Sequence, residues 1–180
     1  MEVRYKISIA ETEEDKSRAY ELRKRVFGDE LNDCRFIVEG KYFIDPYDKK
    51  EAIILIAENE FGEIIGTFRN YPRSAGEYIY DYLYFSDKLI DHTKMSKEFL
   101  LQNSIILSRG CVEKMYRQHG LYGEMIDALI AYTLPSQVAI ACIETWNIHS
   151  LSPFLKRGFT IYQTGETRPG YEYNWVVKQL

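Results

Sequence analysis

The stretch SIILSRGCVEKMYRQHGLYGEMIDALIAYT, running from Ser104 to Thr133, decides how the rest of the chain is read. Ser104 to Val112 is an apolar run of strand length, and Leu121 to Thr133 carries Met125, Ile126, Leu129 and Ile130 at helical spacing. Val138 to Glu144 is a second strand-like run, so the local order is β-α-β. Between the first strand and the helix lie Glu113 to Gly123, with glycines at 120 and 123 where the helix begins. The first N–H groups of a helix have no internal partner and the helix dipole adds positive potential there, so such a start holds a phosphate group by backbone alone. Gly120 permits close approach.

Working towards the N-terminus, Val3 to Ile9 alternates as a half-buried strand does, and Thr12 with Asp15 resembles a capping box. A helix is expected from about Glu13 to Phe27 with Ala19, Leu22 and Val26 on its core face, ended by Gly28. Residues 28 to 50 contain Gly40 and Asp45-Pro46, and read as loop or short helix over one edge of a sheet. Ile53 to Ala57 and Ile64 to Phe68 are strands around a Gly62 turn, the best antiparallel pair. Residues 70 to 102 show weak periodicity and read as a long connection bordering a substrate. Towards the C-terminus, a short helix around Ser150 to Lys156 precedes strands near Phe159 to Gln163 and Tyr173 to Val177, with a turn at Pro169-Gly170.

The chain of 180 residues is expected to form one domain, 1–180, and its 46% hydrophobic and 28% charged residues suit a globular core. The formal charge of -4, with dispersed basic residues, argues against nucleic acid. No apolar run reaches membrane-span length and the first residues lack a signal-peptide core, which gives a cytoplasmic expectation. Cys34, Cys111 and Cys142 have no metal-ligand spacing and read as reduced thiols, so no metal is expected. The 15 tyrosines suit the wall of a cleft as well as a strand surface.

The run Arg117-Gln118-His119-Gly120-Leu121-Tyr122 resembles the Arg/Gln-x-x-Gly-x-Gly/Ala turn of the GNAT acyltransferase superfamily, with Tyr122 standing where that family has Gly or Ala. Asn147, Ser150, Phe154, Gly158 and Phe159 resemble a second pattern of the same family, Phe154 replacing its tyrosine. The resemblance implies a GNAT fold of the α/β class: a central mixed, mostly antiparallel sheet flanked by helices on both faces. It also implies that Cys111, Val112, Arg117 to Gly123 (Gln118, His119, Gly120, Leu121 and Tyr122 between them) and Asn147 bind the donor's pyrophosphate and pantetheine.

Leu22-Arg23-Lys24-Arg25-Val26-Phe27, Asp45-Pro46-Tyr47-Asp48, Gly66-Thr67-Phe68-Arg69 and Ser108-Arg109 look like blocks of the acyl-homoserine-lactone synthases (autoinducer synthases) and the related N-acyl amino acid synthases. Their order agrees. The similarity implies that Arg23, Phe27, Asp45, Asp48, Arg69 and Arg109 surround the active cleft, with Phe154 at the substrate. Ile106 stands where lactone synthases carry a glutamate, and Asn32-Asp33 where they carry Gly-Trp. Simple N-acyl transfer is the reading that follows.

The expected reaction is direct attack of a small amine on an acyl thioester, the carbonyl held by a backbone N–H near Gly110, Cys111 or Val112. Asp45, Asp48 and Glu144, with His149, are the candidate proton acceptors, Asp45 or Asp48 preferred. Cys111 is an improbable nucleophile without a histidine base. The donor is acyl-coenzyme A or the phosphopantetheine of acyl carrier protein, whose acidic surface Arg18, Arg23, Lys24, Arg25, Lys114 and Arg117 would meet. The rival readings are an ordinary acetyl-coenzyme A-dependent acetyltransferase and a non-catalytic binding module of the same fold.

Overall fold

A computed structural model describes residues 4–33, 36–48, 51–71, 86–133 and 135–180. The chain divides into two compact units, Met1–Pro72 with Arg109–Leu129, and Arg73–Ser108 with Ile130–Leu180. Strand β6 (Ser104–Val112) contributes its first half to the second unit and its last residues, from Arg109, to the first. Neighbouring strands follow the order β1 (Tyr5–Ile9), β4 (Ile54–Asn59), β5 (Ile64–Asn70), β6 in the first unit and β6, β7 (Val138–Glu144), β9 (Tyr171–Gln179), β8 (Thr160–Arg168) in the second, so the fold is α/β with a mostly antiparallel sheet flanked by helices.

In the first unit β1 (Tyr5–Ile9) pairs antiparallel with β4 (Ile54–Asn59), which pairs antiparallel with β5 (Ile64–Asn70). The β4–β5 hairpin turns where Asn59 Oδ1 accepts from the Phe61 and Glu63 amides at 3.0 and 2.9 Å, and Gly62 supplies a φ of 77°. Helix α1 (Glu13–Arg23) starts with the expected capping box: the Asp15 amide donates to Thr12 Oγ1 at 3.0 Å and the Thr12 amide to Asp15 Oδ2 at 3.3 Å. Ala19, Leu22 and Val26 are buried against Ile54, Ile56, Ile64 and Cys111. Helix α4 (Leu121–Tyr132) lies so close to β5 that a methyl on Gly66 would meet Met125 Sδ at 2.8 Å.

Two expectations for this unit are corrected. The α-helix does not stop at Gly28 but widens at Lys24 into a π-type turn over Lys24–Glu30. Lys24 Nζ reaches Asp29 at 2.8 Å across a spacing of five residues, which is the period of the wider turn, and Gly28 admits Ile37 at its flank. Residues 28 to 50 are not only loop: β2 (Ile37–Val38) and β3 (Tyr42–Phe43) form a small antiparallel ribbon. Glu39 and Gly40, with φ of 54° and 65°, make the tight turn whose twist matches paired strands.

In the second unit β6 pairs in parallel with β7 (Val138–Glu144) from Ser104–Val138 to Leu107–Ala141, the pairing that the β-α-β order requires. β7 pairs antiparallel with β9 (Tyr171–Gln179), and β9 with β8 (Thr160–Arg168), both longer than expected. Helices α2 (Asp87–Thr93) and α3 (Lys97–Asn103) correct the expected long connection, whose first part, 72–85, lies outside the described residues. Each is seven residues long and offers too few turns for periodicity; Leu89 and Leu100, both fully buried, anchor them. Helix α5 (Ile148–Lys156) follows β7. Among the described residues no helix is long and apolar enough to cross a membrane, and no cluster of three or more metal-ligating side chains occurs.

Candidate active site

Five charged side chains from four separate segments meet inside the first unit. Asp45-Pro46-Tyr47-Asp48 is a tight turn in which the Tyr47 amide donates to Asp45 Oδ1 at 2.8 Å and the Asp45 amide to Asp48 Oδ2 at 3.0 Å. Those bonds fix both carboxylates. Asp48 Oδ1 accepts from Arg23 Nη1 of α1 at 2.8 Å and pairs with Arg69 Nε of β5 at 3.2 Å. Asp45 Oδ2 accepts from Arg69 Nη2 and from Arg109 Nε of β6, each at 2.6 Å. The result is an alternating chain, Arg23–Asp48–Arg69–Asp45–Arg109, whose first four side chains are fully buried and whose last is 23% exposed.

Three guanidinium groups face two carboxylates, leaving the chain one positive charge in excess. Burial is offset only by good geometry and hydrogen bonds. Burial would raise the Asp45 carboxyl, yet the Arg69 and Arg109 guanidiniums outweigh it and hold Asp45 below the usual aspartate range. Burial pulls the Arg109 guanidinium down, and the Asp45 carboxylate with Tyr71 more than restores it. Tyr20, whose ring lies 5.4 Å from the Arg23 guanidinium, is pushed up to about 12 chiefly by burial.

Stability should follow the depressed Asp45 value. A carboxyl with a lowered folded pKa contributes stability that is fully present above the unfolded value, about 3.9 for aspartate, and is lost as pH falls through the folded value. Thermal melts should therefore owe no decline to this pair between pH 5 and 8 and a steep decline below about pH 4. Asp45→Asn should flatten that acid limb; an unchanged limb would mean that the ion pair is already broken in the native state.

An aromatic shell surrounds the outer end of the chain. The Arg109 guanidinium lies 5.3 Å from the Phe36 ring centre and 5.6 Å from that of Phe43, and Phe27 packs on Phe43 at 5.1 Å. Tyr71 faces Arg69 at 4.8 Å and Tyr47 at 5.3 Å. Phe36, Phe43 and Tyr71 were not singled out in the sequence, where aromatic side chains bracketing the Asp-Pro turn were the available signal.

The turn before α4 is exposed from Arg117 to Gly120, with left-handed backbone at Gln118 (φ 67°) and Gly120 (φ 88°). The Gly123 and Glu124 amides close on the Gly120 carbonyl at 2.9 and 3.2 Å. A methyl on Gly120 would meet nothing nearer than Glu124 Oε1 at 3.8 Å, so space is open beside the backbone. Leu121, Gly123, Cys111 and Val112 are buried and offer a ligand only backbone. The Tyr122 ring packs 5.2 Å from that of Phe68, and this contact accommodates the bulk at a position where the resembling family is small. Burial pushes the Cys111 thiol up to about 12, which removes it as a nucleophile.

Several expectations change. Arg117 is turned back, its Nε donating to the Val112 carbonyl at 2.9 Å and its Nη2 pairing with Glu30 at 2.8 Å; His119 stays exposed on the turn. Most of the basic side chains expected to meet a carrier protein are engaged within the fold. Arg23 is buried on Asp48, Arg18 pairs with Glu58, Lys24 with Asp29 and Arg25 with Glu113. Paired charges project little field beyond a Debye length of about 8 Å.

In the second unit, Phe154 is corrected from a substrate contact to a core residue. It is 1% exposed and sits edge-on to Phe159 at 4.9 Å. Asn147 caps α5, its Oδ1 accepting from the Ser150 amide at 3.1 Å. Glu144, half-buried at the end of β7, accepts from the Tyr173 hydroxyl at 3.2 Å, and His149 is exposed.

The model of the acetyltransferase (GNAT) domain family matches residues 22–126. No curated protein sequence compared with the chain is significantly similar to it. Among solved structures, BjaI, a CoA-dependent acyl-homoserine lactone synthase with SAM and isopentyl-CoA, is 18% identical with a TM-score of 0.69, over 97% of this chain and 82% of its own. A putative N-acetyltransferase from Lactobacillus plantarum is 18% identical with a TM-score of 0.65, over 98% of both chains. NAA60 from Arabidopsis thaliana in complex with acetyl-CoA is 11% identical with a TM-score of 0.61, over 98% of this chain and 99% of its own. At these identities what is shared is the fold.

Proposed function

We propose a function from one premise: the chain belongs to the acetyltransferase (GNAT) domain family and is an acyltransferase. On our reading it moves an acyl group from a thioester to the amine of a small acceptor such as an amino acid, by direct attack and in the cytoplasm. The observation that carries this is the open left-handed turn at Gln118–Gly120 running into α4. Such a turn suits a pyrophosphate held by backbone N–H groups. Coenzyme A is the donor this favours. The alternative donor, acyl carrier protein, would meet a face on which Arg18, Lys24 and Arg25 are each already paired.

In the reaction the amine nitrogen bonds to the carbonyl carbon, the developing oxyanion faces a backbone N–H of Gly110, Cys111 or Val112, and collapse breaks the C–S bond. The thiolate leaves and takes its proton from water. Beforehand the ammonium form must lose a proton. Asp45 and Asp48 each already accept from a backbone amide and a guanidinium. Both are thereby poorly suited to take a further proton, which passes to solvent water.

The test pairs acyl-coenzyme A donors of short and long chain with amino acids and simple amines, reading thiol release and the N-acyl product by mass spectrometry. Gly120→Val should raise KM for the coenzyme A thioester at least about tenfold, equal to ~1.4 kcal/mol of binding, and leave a pantetheine thioester without the nucleotide unaffected. Turnover with carrier-protein thioesters alone would overturn the donor assignment. Absence of turnover with any thioester would favour the binding module.

A further inference from the structure

Arg109 lies within strand β6 yet has a φ of 53°, in the left-handed region that side chains other than glycine avoid. Such a residue persists only where its surroundings over-determine it. They do so here from two sides. Arg109 Nε donates to Asp45 Oδ2 at 2.6 Å, beneath the rings of Phe36 and Phe43 at 5.3 and 5.6 Å. One residue on, a methyl at Gly110 would lie within 2.7 Å of three carbons of the Phe68 ring, so the strand is pressed against β5 just where it leaves extended geometry. A left-handed residue in a strand bends it and re-aims the backbone that follows.

Asp45 is in turn fixed before it meets Arg109. Its Oδ1 is taken by the Tyr47 amide and its Oδ2 by Arg69 as well. A carboxylate bound in this way is a rigid post, and the side chain it pulls on belongs to the residue immediately ahead of the Gly110–Val112 amides.

We propose that Asp45 is a positioning residue: through Arg109 it holds the left-handed step of β6 that aims the Gly110–Val112 backbone at the thioester carbonyl, and it takes no proton from the amine. The inference rests on the acyl-transfer reading for its catalytic half only. Its structural half, that Asp45 sets the backbone of β6, stands without any substrate.

The experiment uses the whole chain with Asp45→Asn, Arg109→Gly and the double variant. Asp45→Asn should lower kcat by about a hundredfold, the scale of one lost oxyanion donor, with KM for the acyl thioester nearly unchanged. Its pH–rate profile should keep the wild-type ascending limb, because no base has been removed. The double variant should recover at least about tenfold in kcat over Asp45→Asn, since glycine adopts a positive φ without an ion pair to hold it. Loss of the ascending limb in Asp45→Asn, or a double variant no faster than the single one, would overturn the proposal.

Hydrogen exchange supplies the reading that needs no activity. The Gly110–Val112 amides should exchange faster in Asp45→Asn and regain protection in the double variant; equal protection in all forms overturns the inference even if acyl transfer is confirmed. Should no thioester turn over, these exchange rates decide the structural half alone. If Asp45→Asn does not fold, Phe36→Ala replaces it, loosening the same guanidinium from above, with the same rescue by Arg109→Gly expected.

Discussion

Arg69→Met should lower unfolding stability by about 3–5 kcal/mol, the cost of breaking buried ion pairs by removing the shared partner. Arg69 is the middle of the ion chain: its Nη2 holds Asp45 at 2.6 Å and its Nε faces Asp48 at 3.2 Å, all three side chains being fully buried. Without it Asp45 keeps only Arg109, and Asp48 only Arg23. Arg69→Lys should recover little, because a single ammonium cannot span two carboxylates that the planar guanidinium bridges. Arg69→Met combined with Asp45→Asn should not recover the loss, since Arg109 then loses its pairing with the Asp45 carboxylate. Urea unfolding of the three variants checks this, and a loss under about 1 kcal/mol for Arg69→Met would mean that water reaches the site and screens it.

Phe68→Ala should cost a comparable amount, about 3–5 kcal/mol, as removal of a buried ring leaves a cavity that its neighbours fill only in part. The ring is 1% exposed and lies between Gly110 and Tyr122, with Tyr122 at 5.2 Å. The same geometry sets a second measurement. Gly110→Ala alone drives a methyl into the ring and should destabilise by about 1–3 kcal/mol. In the Phe68→Ala background that methyl enters vacated space, so the two effects should couple by more than about 0.5 kcal/mol instead of adding. Simple additivity would show that β6 relaxes away from β5 and that Gly110 is not pinned.

Both results bear on function through one segment. Arg109, Gly110 and Cys111 form the stretch of β6 on which the proposed oxyanion donor sits, and each is held by a different neighbour: Asp45, Phe68 and the core beneath α1. An acyltransferase working by direct attack needs a backbone donor that does not reorganise during the reaction. The buried ion chain is a costly way to fix a strand.

What the sequence determined by itself is what short-range spacing encodes. The apolar runs of Ile54–Asn59 and Ile64–Asn70, the helical spacing of Met125, Ile126 and Leu129, the Thr12–Asp15 box and the glycines at 62 and 120 all act within a few residues. Each is legible for that reason. The blocks holding Arg23, Asp45, Asp48, Arg69 and Arg109 were legible as a resemblance, but the role of each was not.

Tertiary structure decided the partners, because the bonds that define them join residues 24, 25 and 64 positions apart. No local pattern records that Arg23, on a helix where arginine is usually solvated, is buried on Asp48, or that Arg117 turns back to Glu30 instead of facing a phosphate. Nor does one record that Phe154 fills a core. Asp45 before a proline reads as an ordinary turn until Arg69 and Arg109 close on it, and that long-range closure is what leaves both of its oxygens engaged.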